Sequence, residues 1–355
     1  MSTFFIVAIL LLGFLITFQI AKASEYVSIM RGEEKSRKQN NRVNGFMLLM
    51  FLILGLVGVY YCNEQLGGKI LTFGSSASDH GKNIDTMLEI TIIITGIVFI
   101  ITQFCLFWFS YKYQESDKRK AYYYPHNNKL EIIWTVIPAI VLTVMVGFGL
   151  YYWFKITGEA PKNAMEVEVT GKQFEWMYRY PGKDKILGKK FYKLIDNAKD
   201  NPLGQIWDDN ANHDDIVITG GDPLHLIVNK PVRLVINAQD VIHDVGLAHF
   251  RMKMDAVPGT PTTIWFTPIK TTKQEREERD DPDFIYDLSC DQMCGRGHFG
   301  MRGTIIVETQ EEFDRWMASK KPKYYAAFPD KDPDAKKAKA DSVKAPIAAV
   351  KTPGN

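Results

Sequence analysis

The sequence predicts two structural classes in one chain: membrane-spanning α-helices first, then an all-β domain built as a Greek-key sandwich. Three observations carry this expectation. Nearly all the long apolar runs lie before residue 155; the rest is polar, aromatic and rich in Asp, Glu and Lys; and in that second part the apolar residues fall into short alternating segments between turn residues. A chain of 355 residues has room for about two domains. Its net charge of +2, with no basic stripe interleaved with aromatics, gives no reason to expect a nucleic-acid partner.

Four apolar stretches, Phe4 to Ile20, Gly45 to Cys62, Met87 to Phe109 and Ile132 to Phe154, each approach the roughly 20 residues that a helix needs to cross a bilayer. The first is read as a retained span, because no Lys or Arg precedes it and no small-residue cleavage site follows cleanly; a cleaved signal peptide would leave three spans and the same sidedness. Residues 21–44 hold six Lys or Arg, 63–86 hold two and 110–131 hold five, so the first and third loops face the cytoplasm. Everything after residue 154 is then on the outer side of the membrane. Glu131 opens the last span at its cytoplasmic edge. A carboxylate there either ends a helix among the headgroups or serves a function, and both readings stay open. Pro138 is placed in the first turns of that span, where its missing N–H is tolerated best.

Strands are expected at Met165 to Thr170, Phe174 to Tyr180, Leu224 to Val228, Val232 to Ala238, Thr262 to Phe266, Phe284 to Leu288 and Thr304 to Glu308. The Lys-, Asp- and Asn-rich stretch from Pro181 to Asp215 breaks the rhythm and reads as a long surface insertion. Gln310 to Lys320 has the pattern of a short helix, and residues 320–355 that of a disordered charged tail. The expected divisions are 1–63 for two N-terminal helices, 84–155 for a helical hairpin, 156–319 for the outer β domain and 320–355 for the tail. No Cys-x-x-Cys-His occurs, so no attached c-type haem is expected.

Of the four cysteines, Cys62 and Cys105 sit in or at the end of apolar runs, where a thiol acts as a small hydrophobe. Cys290 and Cys294 remain. The run from Cys290 to Met301 packs two thiols, the imidazole of His298 and the thioether of Met301 into twelve residues. Soft sulfur ligands with imidazole select copper, and two cysteines four apart can bridge a pair of copper ions if a second His joins them. His243 is the leading candidate, as a loop ligand following the strand Val232 to Ala238; His249 is its rival. His225 falls within a strand and reads as structural, and His80, His126 and His213 read as loop residues. A Cys290–Cys294 disulfide and a zinc site of two Cys and two His stay open, although neither accounts for Met301.

The loop resembles the CuA motif of cytochrome c oxidase subunit II, Cys-x-Glu-x-Cys-x3-His-x2-Met, at every ligand spacing. Asp240-Val241-Ile242-His243 with Lys253 to Gly259 resembles the family's segment bearing the first His ligand. Glu131 to Thr135 with Pro138 is similar to the start of its second transmembrane helix, and Gly171 to Trp176 to its aromatic stretch. The resemblance covers roughly residues 87 to 319. It implies a cupredoxin-like domain in the periplasm of a bacterium, anchored in the inner membrane. By the same resemblance Cys290 and Cys294 bridge two coppers, His243 and His298 cap them, Met301 binds weakly and the Gln292 carbonyl completes the set. Glu131 becomes the mouth of a proton pathway into subunit I. The implied partners are haem-copper subunits I and III, cytochrome c or a tethered cytochrome c domain, and a larger respiratory supercomplex. Three departures stand out, the first being that the two extra N-terminal spans and the 181–215 insertion exceed the family's common two-span form, which implies contacts with additional partner subunits. Gln292 replaces a Glu that helps bind magnesium at the subunit I interface, which leaves magnesium in doubt. Phe174 replaces the Trp through which electrons enter, with Trp176 close by.

Overall fold

The computed structural model describes residues 2–67, 75–116 and 118–333, with the side chains of residues 2–7, 9 and 10 outside that description. Four long helices come first: α1 (Ser2–Arg31), α2 (Glu33–Leu66), α3 (Asp79–Lys112) and α4 (Asn128–Thr157). Gly32, at φ 86°, separates α1 from α2 in a left-handed conformation open to glycine at no steric cost. Among the described residues α2, α3 and α4 are long and apolar enough to cross a membrane, and the apolar stretch of α4 buries none of its residues inside the protein. A helix that is apolar all round and has no protein cover belongs in lipid. The expected first span, Phe4 to Ile20, lies in α1, where many of its side chains fall outside the described residues. Pro138 is not in a first turn. It lies ten residues past the start of α4, inside the helix, so the carbonyl of Trp134 loses its regular N–H partner.

The chain folds as two compact units, residues 1–72 with 88–140, and residues 73–87 with 141–355, so the division runs through α3 and α4. Among the described residues of the second unit, ten strands form two five-stranded sheets. One has the order β3-β2-β1-β5-β8, from β1 (Met165–Lys172), β2 (Glu175–Tyr180), β3 (Ile216–Ile218), β5 (Val232–Ala238) and β8 (Thr262–Phe266). The other has the order β4-β10-β9-β6-β7, from β4 (Leu224–Ile227), β6 (His243–Leu247), β7 (Met252–Ala256), β9 (Tyr286–Cys290) and β10 (Arg302–Glu308). Pairs β1–β5 and β4–β10 are parallel, and the remaining pairs are antiparallel. Val167, Val169, Leu234 and Ile236 from the first sheet meet Leu224, Val245, Leu288 and Ile305 from the second in one core. Alternating side chains of two facing sheets make a sandwich in this way.

Seven expected strands are present. β3, β6 and β7 were not foreseen, because β3 is three residues long and β6 and β7 carry Asp244, Gly246, Lys253 and Asp255 on their outer positions. His243 is therefore the first residue of a strand and not a loop residue. Helix α5 (Thr272–Arg279), also unforeseen, opens with a capping box between Thr271 and Gln274. The expected short helix is α6 (Gln310–Ala318). The tail is ordered at its start: α7 (Lys323–Ala327) lays Tyr324 and Phe328 against Trp207, and Tyr324 stacks on His213 at 3.8 Å. Those aromatics are what a composition-based expectation of disorder overlooked; residues 334–355 lie outside the described residues.

The sandwich also holds the outer ends of the two helices. Ser78 Oγ donates to the carbonyl of Phe250 at 2.6 Å, Arg251 Nε pairs with Asp85 at 2.7 Å, and Trp265 Nε1 donates to the carbonyl of Lys155 at 3.1 Å. His80 belongs to this contact. It lies in α3 and is buried edge-on against Trp265, so it is not a loop residue.

The insertion is a cover and not a loose loop. On β2 the inward residues Trp176, Tyr178 and Tyr180 join the core, while the outward Met177 and Arg179 are buried beneath residues 181–215. Arg179 reaches Glu168 Oε2 at 2.5 Å, Asp215 Oδ2 at 2.9 Å, the Gly188 carbonyl at 2.8 Å and Asn212 Oδ1 at 3.2 Å. Burial pushes the Asp215 carboxyl up to about 6 against the pull of Arg179. Further along, the carbonyl of Pro202 accepts from Gln239 Nε2 at 2.7 Å.

Candidate metal centre

At one end of the sandwich β6 begins and β9 ends side by side, with Val245 opposite Cys290. This pairing brings His243 and Cys290 together from opposite ends of two strands. The chain then makes a tight loop from Asp291 to Met301 before entering β10, and the Cys290 N–H donates to the Met301 carbonyl at 3.2 Å to close it. A single 3-10 turn, His298–Gly300, turns His298 back toward Cys294.

The donor atoms form a continuous set. His243 Nδ1 is 3.8 Å from Cys290 Sγ, the two sulfurs are 3.7 Å apart, Cys294 Sγ is 3.6 Å from His298 Nδ1 and 3.8 Å from Met301 Sδ, and the Gln292 carbonyl is 3.3 Å from Cys290 Sγ. The two sulfurs thus lie between the two imidazoles. His243, Cys290 and Cys294, all buried, have their ligand atoms within 4.8 Å of one another. The cysteines are free, and their separation is far beyond the roughly 2.05 Å of a disulfide. A metal bonded to both sulfurs at about 2.3 Å would span that separation without moving either. Burial, with the Cys290 sulfur adding to it, pushes the Cys294 thiol up to about 11. In the metal-free protein Cys294 therefore keeps its proton at neutral pH, and metal binding displaces it.

The surroundings fix the donors. His243 Nε2 lies 2.8 Å from Asp240 Oδ1, so an Nε2–H donated to Asp240 leaves the Nδ1 lone pair toward the sulfur. Burial works to raise the Asp240 carboxyl, but hydrogen bonds from the Gln173 N–H and the His243 ring hold it below the ordinary carboxylate value. The Trp176 ring stands edge-on to His243 at 6.0 Å. A Cβ on Gly171 would come within 3.0 Å of both rings, so glycine is what lets them sit there.

The sequence-predicted ligands Cys290, Gln292 (through its carbonyl), Cys294, His298, Met301 and His243 all converge here. The rival His249 does not; it packs on Phe284 and Tyr286. His225 is structural, with Nδ1 2.7 Å from Glu308 and its ring stacked on Trp316 at 3.9 Å. Phe174 is 41 % exposed and lies over Gly295 and Gly297, whereas Trp176 is 3 % exposed and sits behind His243. The two residues proposed for electron passage thus occupy an outer and an inner position. Glu131 lies in the first turn of α4. There its Oε1 accepts from the Asn127 N–H at 3.3 Å, and Asn127 Oδ1 in turn accepts from the Leu130 N–H at 3.0 Å. Sequence reasoning missed Gln173 and the role of Asp240. A carboxylate three residues before a ligating His could have marked Asp240; nothing local marks Gln173.

Comparison with known proteins bears directly on this arrangement. Residues 67–151 match the family model of the cytochrome c oxidase subunit II transmembrane domain, and residues 165–309 match that of its periplasmic domain. The chain belongs to the cytochrome c oxidase subunit II family. An alternative cytochrome c oxidase subunit 2 of Bradyrhizobium diazoefficiens is 36 % identical over 242 residues, covering 67 % of this chain and 80 % of that protein. A cytochrome c oxidase subunit 2 of Cereibacter sphaeroides is 27 % identical over 252 residues, covering 69 % and 78 %. The crystal structure of the periplasmic domain of a Bradyrhizobium japonicum subunit II covers 45 % of this chain and 96 % of its own, at 26 % identity and a TM-score of 0.31.

As a subunit II, the chain is a component of a haem-copper oxidase complex, and its sandwich lies in the periplasm. That is the side deduced from the loop charges. The combination of membrane helices with a two-sheet β-sandwich is the fold expected from the sequence. Copper and respiratory electron transport belong to this family, and the His/Cys/Cys cluster suits copper. Helices α1 and α2 precede the first family match.

Proposed function

We propose that this subunit II accepts electrons from cytochrome c, or from a tethered cytochrome c domain, at a dinuclear copper (CuA) centre. It then passes them to haem-copper subunit I, where oxygen reduction is coupled to proton pumping. The observation that carries this is the order of the donors: two buried sulfurs side by side, with an imidazole nitrogen next to each and a thioether and a carbonyl at the two ends. In this reading Cys290 and Cys294 would bridge the metals, His243 and His298 would cap them, and Met301 and the Gln292 carbonyl would complete the set. Copper bound there supplies a one-electron carrier.

The chain's own part is to hold the donors still. Met301 is fully buried, the sulfurs are nearly so, and the Asp240 carboxylate fixes the His243 tautomer. Water is kept from the thiolates by the sandwich core behind them and by Phe174 lying over the loop glycines in front. The exposed Phe174 and the buried Trp176 are assigned to electron passage from the surface toward His243. Glu131 is assigned to proton uptake from the cytoplasmic side. The Gln292 side chain is exposed and uncharged, which weakens magnesium binding through this position.

The proposed divisions are residues 1–63 as additional helices that contact partner subunits, including subunit III or a larger assembly, 84–155 as the anchor hairpin and 156–319 as the copper domain. A copper-free scaffold of a quinol oxidase would have no use for six converging donors. Service to a nitric oxide reductase would differ in the partner and not in this site. A zinc site would leave the buried Met301 sulfur idle beside Cys294.

The deciding experiment is copper analysis of the full chain in detergent, with electron paramagnetic resonance. Two coppers per chain and a mixed-valence signal are expected. One copper, or preferential retention of zinc, overturns the reading.

A further inference from the structure

Gln173 bonds to both parts of the chain that carry the ligands. It lies in the turn between β1 and β2, in the sheet opposite the metal loop. Its backbone N–H donates to Asp240 Oδ2 at 2.8 Å, and the other oxygen of Asp240 holds His243 Nε2 at 2.8 Å. Its side-chain Nε2 donates to the carbonyl of Cys294 at 2.6 Å, 121 residues along the chain. The loop's other backbone bonds are mostly within itself: His298 N–H to Gly295, Gly300 N–H to Gly297 and Met301 N–H to His298.

We propose that Gln173 is a positioning residue of the copper centre, a strut that ties the imidazole side, through Asp240, to the thiolate loop, through the Cys294 carbonyl. The proposal rests on the copper reading above. Two features of the loop fit it. Gly295, at φ 132°, and Gly297 let the loop lie flat on residues 173 and 174: a Cβ on Gly295 would meet Gln173 Nε2 at 2.9 Å, and one on Gly297 would meet the Phe174 ring at 2.6 Å. The strut also crosses the open end of the sandwich, where the two sheets share no ladder. An electron carrier works fastest when its ligands need not move as its charge changes. A cross-sheet bond to the peptide of a thiolate ligand opposes that movement.

The test is Gln173→Met in the full chain. The substitution keeps the backbone N–H, and with it the Asp240–His243 pair, but removes the side-chain donor. Gln173 is an exposed residue, so little buried surface changes. At saturating copper the stoichiometry is expected to match the parent. Copper affinity is expected to fall about 10–100-fold, as with other lost outer partners of metal ligands, and the sulfur-to-copper charge-transfer bands to shift. Gln173→Asn, which keeps the amide but draws it back by one methylene, is expected to behave like Gln173→Met. Unchanged affinity and unchanged bands in Gln173→Met overturn the proposal, as does a melting temperature that falls with no spectral change. A parent protein that binds a single copper overturns the two-copper reading, whereas the role of Gln173 is read from the difference between variant and parent.

Discussion

Replacing Arg179 with Met tests whether the insertion is welded to the sandwich by charge. The stem of the side chain is kept and the guanidinium is lost. Arg179 is 3 % exposed, and its partners Glu168 and Asp215 are buried with it. Glu168 keeps Lys190 and Asn237 as partners, whereas Asp215 keeps the Gly188 N–H. Breaking a buried pair from one side costs about 3–5 kcal/mol, because the other charge is left without compensation. That is a large share of the roughly 5–15 kcal/mol that holds a domain folded. At about 2–4 °C per kcal/mol for a domain of this size, the melting temperature should fall by roughly 6–20 °C.

The loss should also depend on pH in a defined direction. The folded Asp215 value lies above its ordinary one, so the stability it contributes is present at low pH and lost as the pH rises through about 6. Removing the neighbouring positive charge raises that value further. The cost of the substitution should therefore shrink between pH 7 and pH 5. The assay is thermal unfolding of the full chain at both pH values, with limited proteolysis reporting opening of residues 181–215. A fall of less than about 3 °C at pH 7, with the insertion still protected, would refute the reasoning.

Two further predictions concern other parts of the chain. Glu131→Gln should slow turnover of the assembled oxidase without altering the copper spectrum, since Glu131 lies in the first turn of α4, far along the sequence from every copper donor; unchanged turnover would remove its proton role. Burial holds the His225 imidazole below its ordinary value despite the nearby Glu308, so the stability it lends is present above pH 6.5 and lost as the pH falls through the depressed value. Melting at pH 7 and pH 5 should differ less in His225→Gln than in the parent, and equal differences would exclude burial of this imidazole as the source.

Much of the metal centre was legible because five of its six donors lie within the twelve residues from Cys290 to Met301, so their type and spacing can be read from one short stretch. Composition showed the membrane helices for a similar reason: a run of about 20 apolar residues is a local property. The strands Val232–Ala238 and Thr262–Phe266 were readable to the residue from their alternation. Strands β6 and β7 were not, because their outward positions carry Asp244, Asp255 and Lys253, and such charges also mark loops.

What sequence alone determined, then, is the chemistry of the donors, the side of the membrane they occupy and the two-part architecture, all properties of short stretches. Tertiary structure decided the rest. The pairing of β6 with β9 sets His243 beside Cys290, 47 residues away in the chain, and leaves His249 among aromatics. The packing of 181–215 over Arg179 turns an apparent loop into a cover, and the approach of the two sheets brings Gln173 to Cys294. Each of these depends on contacts between residues far apart along the chain, and no local pattern encodes which distant partner will close them.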